Sequence, residues 1–314
     1  HGIEEVSSLD REDDNIKDLW KRAKLHPDQQ SSSASSNNGS LSSAKMPPRS
    51  PWHRLEVFSV FVNCYNSETC GTGIYGTVMV DDGFGEVFIF KREENRPEIV
   101  GPSGTSLSLD LHRDLISESF IMTLDLKDVK GRVVSKGWMA YEFFGSKGWS
   151  DLPLCFLIRG EHGYAAVHYT IFSNPVTAKV KVLFLSDGGG CSCVNVMGRL
   201  VAQYSNYKYL TPYGREYRRS ILFDKQHPKG FLQLNDGCEI PLSRSVIIVP
   251  IGWILEIDVS VQVDSQPAVS ETEHLTGTLK FESMLEGIHS KELRGENYGI
   301  QVSVEWTERP YTYI

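Results

Sequence analysis

The segment Tyr204 to Arg219, YSNYKYLTPYGREYRR, gathers the residues of this chain best suited to binding chemistry. Tyr204, Tyr207, Tyr209, Tyr213 and Tyr217 are interleaved with Lys208, Arg215, Arg218 and Arg219. Rings supply stacking and cations supply contacts to phosphate or carboxylate, which suits a protein partner first, and single-stranded nucleic acid or a glycan as alternatives. The same composition also suits a loop that lays its rings over a core and leaves its charges in water.

Other constellations are less specific. Gly71-Thr-Gly73-Ile-Tyr-Gly76 satisfies G-x-G-x-x-G, but a strand-like run follows it where a phosphate loop must open a helix, so its glycines read as turn formers. Gly188-Gly189-Gly190 reads as a hairpin loop, with no Lys-Ser/Thr after it. Asp81, Asp82, Asp125 and Asp128 stand at strand ends, where several carboxylates could converge on calcium or simply close turns. No Gly-x-Ser-x-Gly occurs, and His168 falls in a strand with no nucleophile assigned to it. These residues imply no catalytic group, cofactor or metal.

Composition narrows the function classes. A net charge of −8 and a pI near 5.6 argue against a broad nucleic-acid footprint, leaving only a local basic patch such as the tyrosine-rich segment. No apolar run of membrane-spanning length appears. Cys64, Cys70, Cys155, Cys191, Cys193 and Cys238 match no zinc spacing and read as reduced thiols of a cytoplasmic or nuclear protein. Cys64 and Cys70 flank a short loop and are the exception if the compartment is oxidising. Because the chain begins at His1, the N-terminus is treated as incomplete.

The elements that position these residues are strands. From residue 52 onward, short runs alternate apolar and polar residues and are separated by Gly, Asp, Asn and Pro, as in Leu55 to Val62, Tyr75 to Val80, Phe120 to Leu126 and Trp253 to Val263. A shift of 133 places Phe88-Ile89-Phe90 on Ile221-Leu222-Phe223, Leu107 and Leu109 on Ile240 and Leu242, and Leu124-Asp125-Leu126 on Ile257-Asp258-Val259. Tyr75-Gly76-Thr77-Val78 answers Met197-Gly198-Arg199-Leu200. The expected fold is all-β: two tandem copies of an antiparallel sandwich-like motif, 52–174 and 175–314, with one shared barrel as the alternative. Residues 1–51 read as a disordered tail, Ser-rich over 31–44, carrying one short helix at 10–25. Ile16, Leu19 and Trp20 form its apolar stripe and a candidate contact for a partner's groove.

The order IYGTV, a Gly-led strand segment, IPLSRSVIIVP, GTLKFE and YGIQVSVEW resembles a plant family of uncharacterised domains, abundant in grasses. It is also found fused behind the catalytic domain of cereal jasmonate-induced ribosome-inactivating proteins. The resemblance covers about 53–309 and implies a setting in stress or defence, and with it a regulatory partnership with such a catalytic domain. It implies no active site, because its motifs are strands and turns. Adenine removal needs a Glu and an Arg one turn apart on a buried helix, and Glu216-x-x-Arg219 and Glu93-x-x-Arg96 both read as turns or strand ends. The expectation is a non-enzymatic binding or accessory protein presenting the Tyr/Arg loop. The alternative is an enzyme or ligand-binding protein with its site between the copies.

Overall fold

The computed structural model describes residues 3–5, 53–65, 73–101, 103–142, 149–187, 193–207, 212–225, 230–265 and 272–308. In chain order the first half contains β1 (Ile3–Glu5), β2 (Arg54–Cys64), β3 (Gly73–Asp81), β4 (Glu86–Arg92), β5 (Glu98–Ile99), β6 (Thr105–Ser106), β7 (Leu115–Ile116), β8 (Ser119–Asp128), β9 (Val133–Glu142), β10 (Leu154–Arg159) and β11 (Gly163–Phe172). The second contains β12 (Pro175–Ser186), β13 (Val194–Tyr204), α1 (Pro212–Tyr217), β14 (Ser220–Lys225), β15 (Leu232–Leu234), β16 (Val246–Pro250), β17 (Ile254–Ser265), β18 (Thr272–Glu282), β19 (Glu286–Arg294) and β20 (Tyr298–Thr307).

Alternation drives these strands. In β8, Phe120, Met122, Leu124 and Leu126 are buried on one face, while Thr123, Asp125 and Lys127 on the other are only partly covered. One sheet of the first half runs β4-β3-β8-β9 and the other β1-β10-β11-β2-β6. The second half repeats the first order as β14-β13-β17-β18, and in the other sheet β19-β20-β12-β16 answers β10-β11-β2 and β7, which pairs with β2. Each pair of sheets encloses its own core. Val60, Val78, Phe90, Leu124 and Val167 lie in the first, and Val182, Leu200, Phe223, Val259 and Val302 hold the same rungs in the second. Burying each such side chain is worth about 1.5–3 kcal/mol.

Backbone detail repeats as well. Leu107 N donates to Val60 O and Ile240 N to Val182 O, each at 2.9 Å. β3 bulges against β4 between Val78 and Met79, and β13 bulges against β14 between Leu200 and Val201. Gly76 (φ 118°) and Gly198 (φ 132°) occupy equivalent rungs, where a Cβ would lie 2.0 Å from Asp125 O and 2.2 Å from Ser260 O. Only glycine fits so close to a neighbouring strand.

The ladders correct one stretch of the 133 register. Gly76 faces Leu126 and Gly198 faces Val261, so Leu126 corresponds to Val261 and not to Val259. A slip of two residues keeps every side chain on its own face, so the apolar phase does not reveal it. Within the N-terminal stretch, Ile3–Glu5 pairs in parallel with Cys155 to Leu157 of β10. The 10–25 helix, with Ile16, Leu19 and Trp20, lies outside the described residues.

The halves meet through equivalent positions. Leu111 bridges Arg244, and His112 Nδ1 lies 3.0 Å from Ser245 Oγ, both pairs being 133 apart in sequence. Like meets like here, as across a twofold axis between subunits. Beside this seam β2 carries a bulge against β11: His168 faces Ser59, Tyr169 faces Val57, and Phe58 is left between them. Phe58 therefore turns away from its own core and packs into that of the second half, together with Phe172.

Candidate functional site

The outer face of the β10-β11-β2 sheet carries Glu56 and Ser59 on β2, Thr170 and His168 on β11, and Cys155 on β10, with Thr170 facing Glu56 and Cys155 facing His168. Alternation alone would leave this row in water. Instead the connection from β13 to β14 crosses it. That connection is the tyrosine-rich segment, and its counterpart in the first half is the tight turn between β3 and β4.

Tyr204 and Tyr207 are buried, which corrects their reading as presented surface. Both pack against Phe58 and Trp253 in edge-to-face contacts, with centroids 5.5–6.2 Å apart. Their hydroxyls reach buried acceptors. Tyr204 OH donates to Ile248 O at 2.5 Å. Thr170 Oγ1 donates to Leu152 O at 3.0 Å, so Tyr207 OH is the donor in its 2.6 Å bond to Thr170 Oγ1. Burial pushes both phenols up, that of Tyr204 well above its ordinary value.

Beyond them, Tyr217 stacks on His168 with centroids 4.8 Å apart and meets Phe61 edge-on at 5.3 Å. Ser59 Oγ donates to Tyr217 O at 2.6 Å, which leaves His168 Nδ1, 3.3 Å away, to donate to Ser59. The Arg218 guanidinium stands 5.9 Å from the Tyr207 ring centroid. Tyr217 and Arg218 are thus half-buried parts of a strap across the first half, and Arg219 is half-buried beside them. Arg215 is exposed. Lys208 and Tyr209 lie outside the described residues, as does the side chain of Tyr213. Glu216 is exposed on the six-residue helix α1, and Arg219 lies beyond the end of that helix, so the pair shares no buried helix.

Deeper in the seam, Glu56 is fully buried and accepts from Arg244 Nη2 at 2.5 Å, Ser220 Oγ at 3.0 Å and Ile248 N at 3.0 Å, all from the second half. Burial raises its pKa, and the Arg244 guanidinium opposes that rise. Arg244 also donates to Val57 O and to Val246 O, the latter at 3.2 Å.

Among the described residues of this seam, Cys155 and His168 are a thiol and an imidazole that face each other. Burial raises the Cys155 thiol against the pull of Arg218. Burial, aided by Arg218, lowers His168 to about 4. At neutral pH this leaves a thiol beside a neutral ring, the reverse of the thiolate–imidazolium pair that nucleophilic catalysis uses. The lowered imidazole has a measurable consequence. Between pH 6.5 and 4 the unfolded chain takes up a proton that the folded chain refuses, so this group's contribution is intact above pH 6.5 and lost as pH falls toward 4. The expected loss is about 3 kcal/mol. Urea unfolding across that range tests it: His168→Gln should show a shallower decline than the parent, and parallel curves would refute the assignment.

The acidic rim does not assemble. Asp81 Oδ1 accepts from Gly83 N, Asp82 holds Arg113 at 2.6 and 2.9 Å, Asp128 holds Arg132 at 2.8 and 2.6 Å, and Asp125 lies 4.0 Å from Lys136. Among the described residues, no three His, Cys, Asp or Glu side chains are placed to hold a metal ion. Cys64 is disulfide-bonded, so it falls under the exception allowed for it and not under the reduced reading, while Cys155, Cys193 and Cys238 are free.

Sequence reasoning passed over one surface. On the outer face of the β4-β3-β8-β9 sheet, Phe88 faces Met79, Met79 faces Thr123, and Thr123 faces Trp138, making one row across four strands. Phe88 is 41% exposed and Trp138 37%, and Phe84, in the turn that joins β3 to β4, is 65% exposed. Lys91 Nζ lies 5.0 Å from the Phe88 ring centroid. The same rungs of the second half hold Ile221, Val201, Asp258 and Thr278. There Asp258 accepts from Gln203 Nε2 at 2.8 Å and from Thr278 Oγ1 at 2.6 Å, so the row satisfies itself. The signal available in sequence was Phe88 and Trp138 at outward positions whose counterparts are Ile221 and Thr278.

A family described as a domain of unknown function, DUF6598, matches residues 54–304. No curated protein matches the chain. Two solved structures of human GIVD cytosolic phospholipase A2, one of them in complex with methyl gamma-linolenyl fluorophosphonate, align over 82% of this chain and 33% of theirs. Their identities are 9% and 8% and both TM-scores are 0.24, a level of likeness that bears on neither fold nor activity. Among the described residues, no helix is long and apolar enough to cross a membrane.

Proposed function

The chain belongs to the DUF6598 family, a domain of unknown function, and from that premise we propose that it is a non-enzymatic binding or accessory protein. The observation that carries this reading is the asymmetry between equivalent sheet faces. One face closes its polar groups on themselves around Asp258, whereas the other leaves Phe88 and Trp138 exposed in one row. Grouped exposed aromatics of this kind favour association with a protein partner. Arg215 on the strap is a second contact, and a glycan or single-stranded nucleic acid is the alternative ligand there. The disulfide at Cys64 favours an oxidising compartment over the cytoplasm or nucleus. A role in plant stress or defence, beside a ribosome-inactivating domain, rests on the family resemblance alone.

The test exchanges the row for the chemistry of the other half. Affinity capture from an extract of the source tissue with Phe88→Ile/Trp138→Thr should recover on the order of tenfold less of the bound protein than the parent chain. Arg215→Ala, run in parallel, reports on nucleic acid and glycan. Undiminished recovery by the double variant would overturn the assignment of this face.

A further inference from the structure

Every open sheet has edges, and an unshielded edge invites pairing with another chain. The two-half design places two edges in equivalent positions. β10 pairs with β11 as β19 pairs with β20: Phe156 faces Val167 as Lys291 faces Val302, and Ile158 faces Ala165 as Leu293 faces Ile300. The side chains on these edges are opposite in character. β10 turns Leu154, Phe156 and Ile158 inward, and all three are buried. β19 turns His289 and Lys291 inward at the first two of those rungs and is exposed at every position but Leu293, with Lys291 Nζ 5.7 Å from the Phe281 ring centroid. An inward lysine on an exposed, charged edge strand is a device that discourages strand addition.

β10 carries no such device. Its edge is closed by Ile3–Glu5, in parallel register with Cys155, Phe156 and Leu157. Residues 6–53 separate that strand from β2, a length over which the entropic cost of closing the connection rises only slowly. The same length permits the strand to reach another molecule.

We propose that the outer edge of β10 is a strand-acceptor site, and that a second copy of this chain fills it with its own Ile3–Glu5 segment to form a strand-exchanged dimer. The bonds made in the exchanged form are those already present within one chain, so only the tether decides between them. A connection of this length presents its strand at an effective concentration of about 1 mM or below. Reciprocal exchange places two strands per dimer, and the dimer therefore gains on the monomer as protein concentration approaches that value.

The experiment uses the full chain and the native Cys155. Ile3→Cys sets a thiol opposite Cys155 in the observed register, and mild oxidation from about 10 µM to about 1 mM spans the effective concentration of the tether. Non-reducing electrophoresis and peptide mapping then read which chains are joined. The expected result is a link from position 3 to Cys155 within one chain at low concentration and between two chains at high concentration, the dimer fraction rising at least tenfold. Links confined to one chain throughout would overturn the exchange, and the absence of any link to Cys155 would overturn the acceptor site itself.

Discussion

Replacing Arg244 by methionine is expected to cost about 3–5 kcal/mol, with a fall in Tm of roughly 10 °C. The guanidinium is enclosed in the seam, where it donates to Glu56 and to the carbonyls of Val57 and Val246. Removing it strands the Glu56 carboxylate in a dry interior with only Ser220 and the Ile248 amide still donating. The cost is that of an uncompensated charge more than of a lost bond. Glu56→Leu introduced into the same chain should therefore recover most of the loss, since a buried pair and a well-packed apolar pair of similar volume differ little. Calorimetry on the two single variants and the double variant closes the cycle. Losses below about 1 kcal/mol in both single variants would show that the pair does not hold the two halves together.

Truncating Phe58 to alanine should cost a comparable amount, about 3–5 kcal/mol, and its signature should be displaced. The residue sits on β2 of the first half, yet its ring lies among Tyr204, Tyr207 and the core around Val246 to Val249. Hydrogen exchange should therefore accelerate in β13 and β16 more than in β3 and β8. Acceleration confined to the first half would contradict the packing.

Much of this architecture was readable in the chain. Alternation in stretches such as Phe120 to Leu126, broken by turn residues, dictates half-buried strands, and the repeated phase around Phe90 and Phe223 dictates two copies. The register of β17 was not readable, because a slip of two leaves Ile257, Val259 and Val261 equally inward. The candidate site was legible as a composition but not as a placement. Tyr204 and Tyr207 need acceptors at Ile248 O and Thr170, and no local pattern announces partners so distant in sequence. Glu56, Ser59, His168 and Thr170 alternate as a solvated face would, and only the strap that crosses them makes them interior. The length of the 204 to 219 segment was the available clue, since a connection that merely turned between strands needs no more than the Asp82 to Gly85 stretch. The Phe88 to Trp138 row was hidden differently: its members come from four strands, and the β-bulge beside Val78 decides that Phe88 points outward.

The excursion of Phe58 out of its own sandwich bears on how the chain is made. Synthesis runs from the N-terminus, so the first half leaves the ribosome with the Phe58 and Phe172 rings uncovered and Glu56 unpaired. Their partners, Tyr204 to Trp253, follow only after a further stretch of translation, seconds later at ordinary elongation rates. During that interval the first half has no cover for the apolar surface that Phe58 and Phe172 present, and the second half is what supplies it.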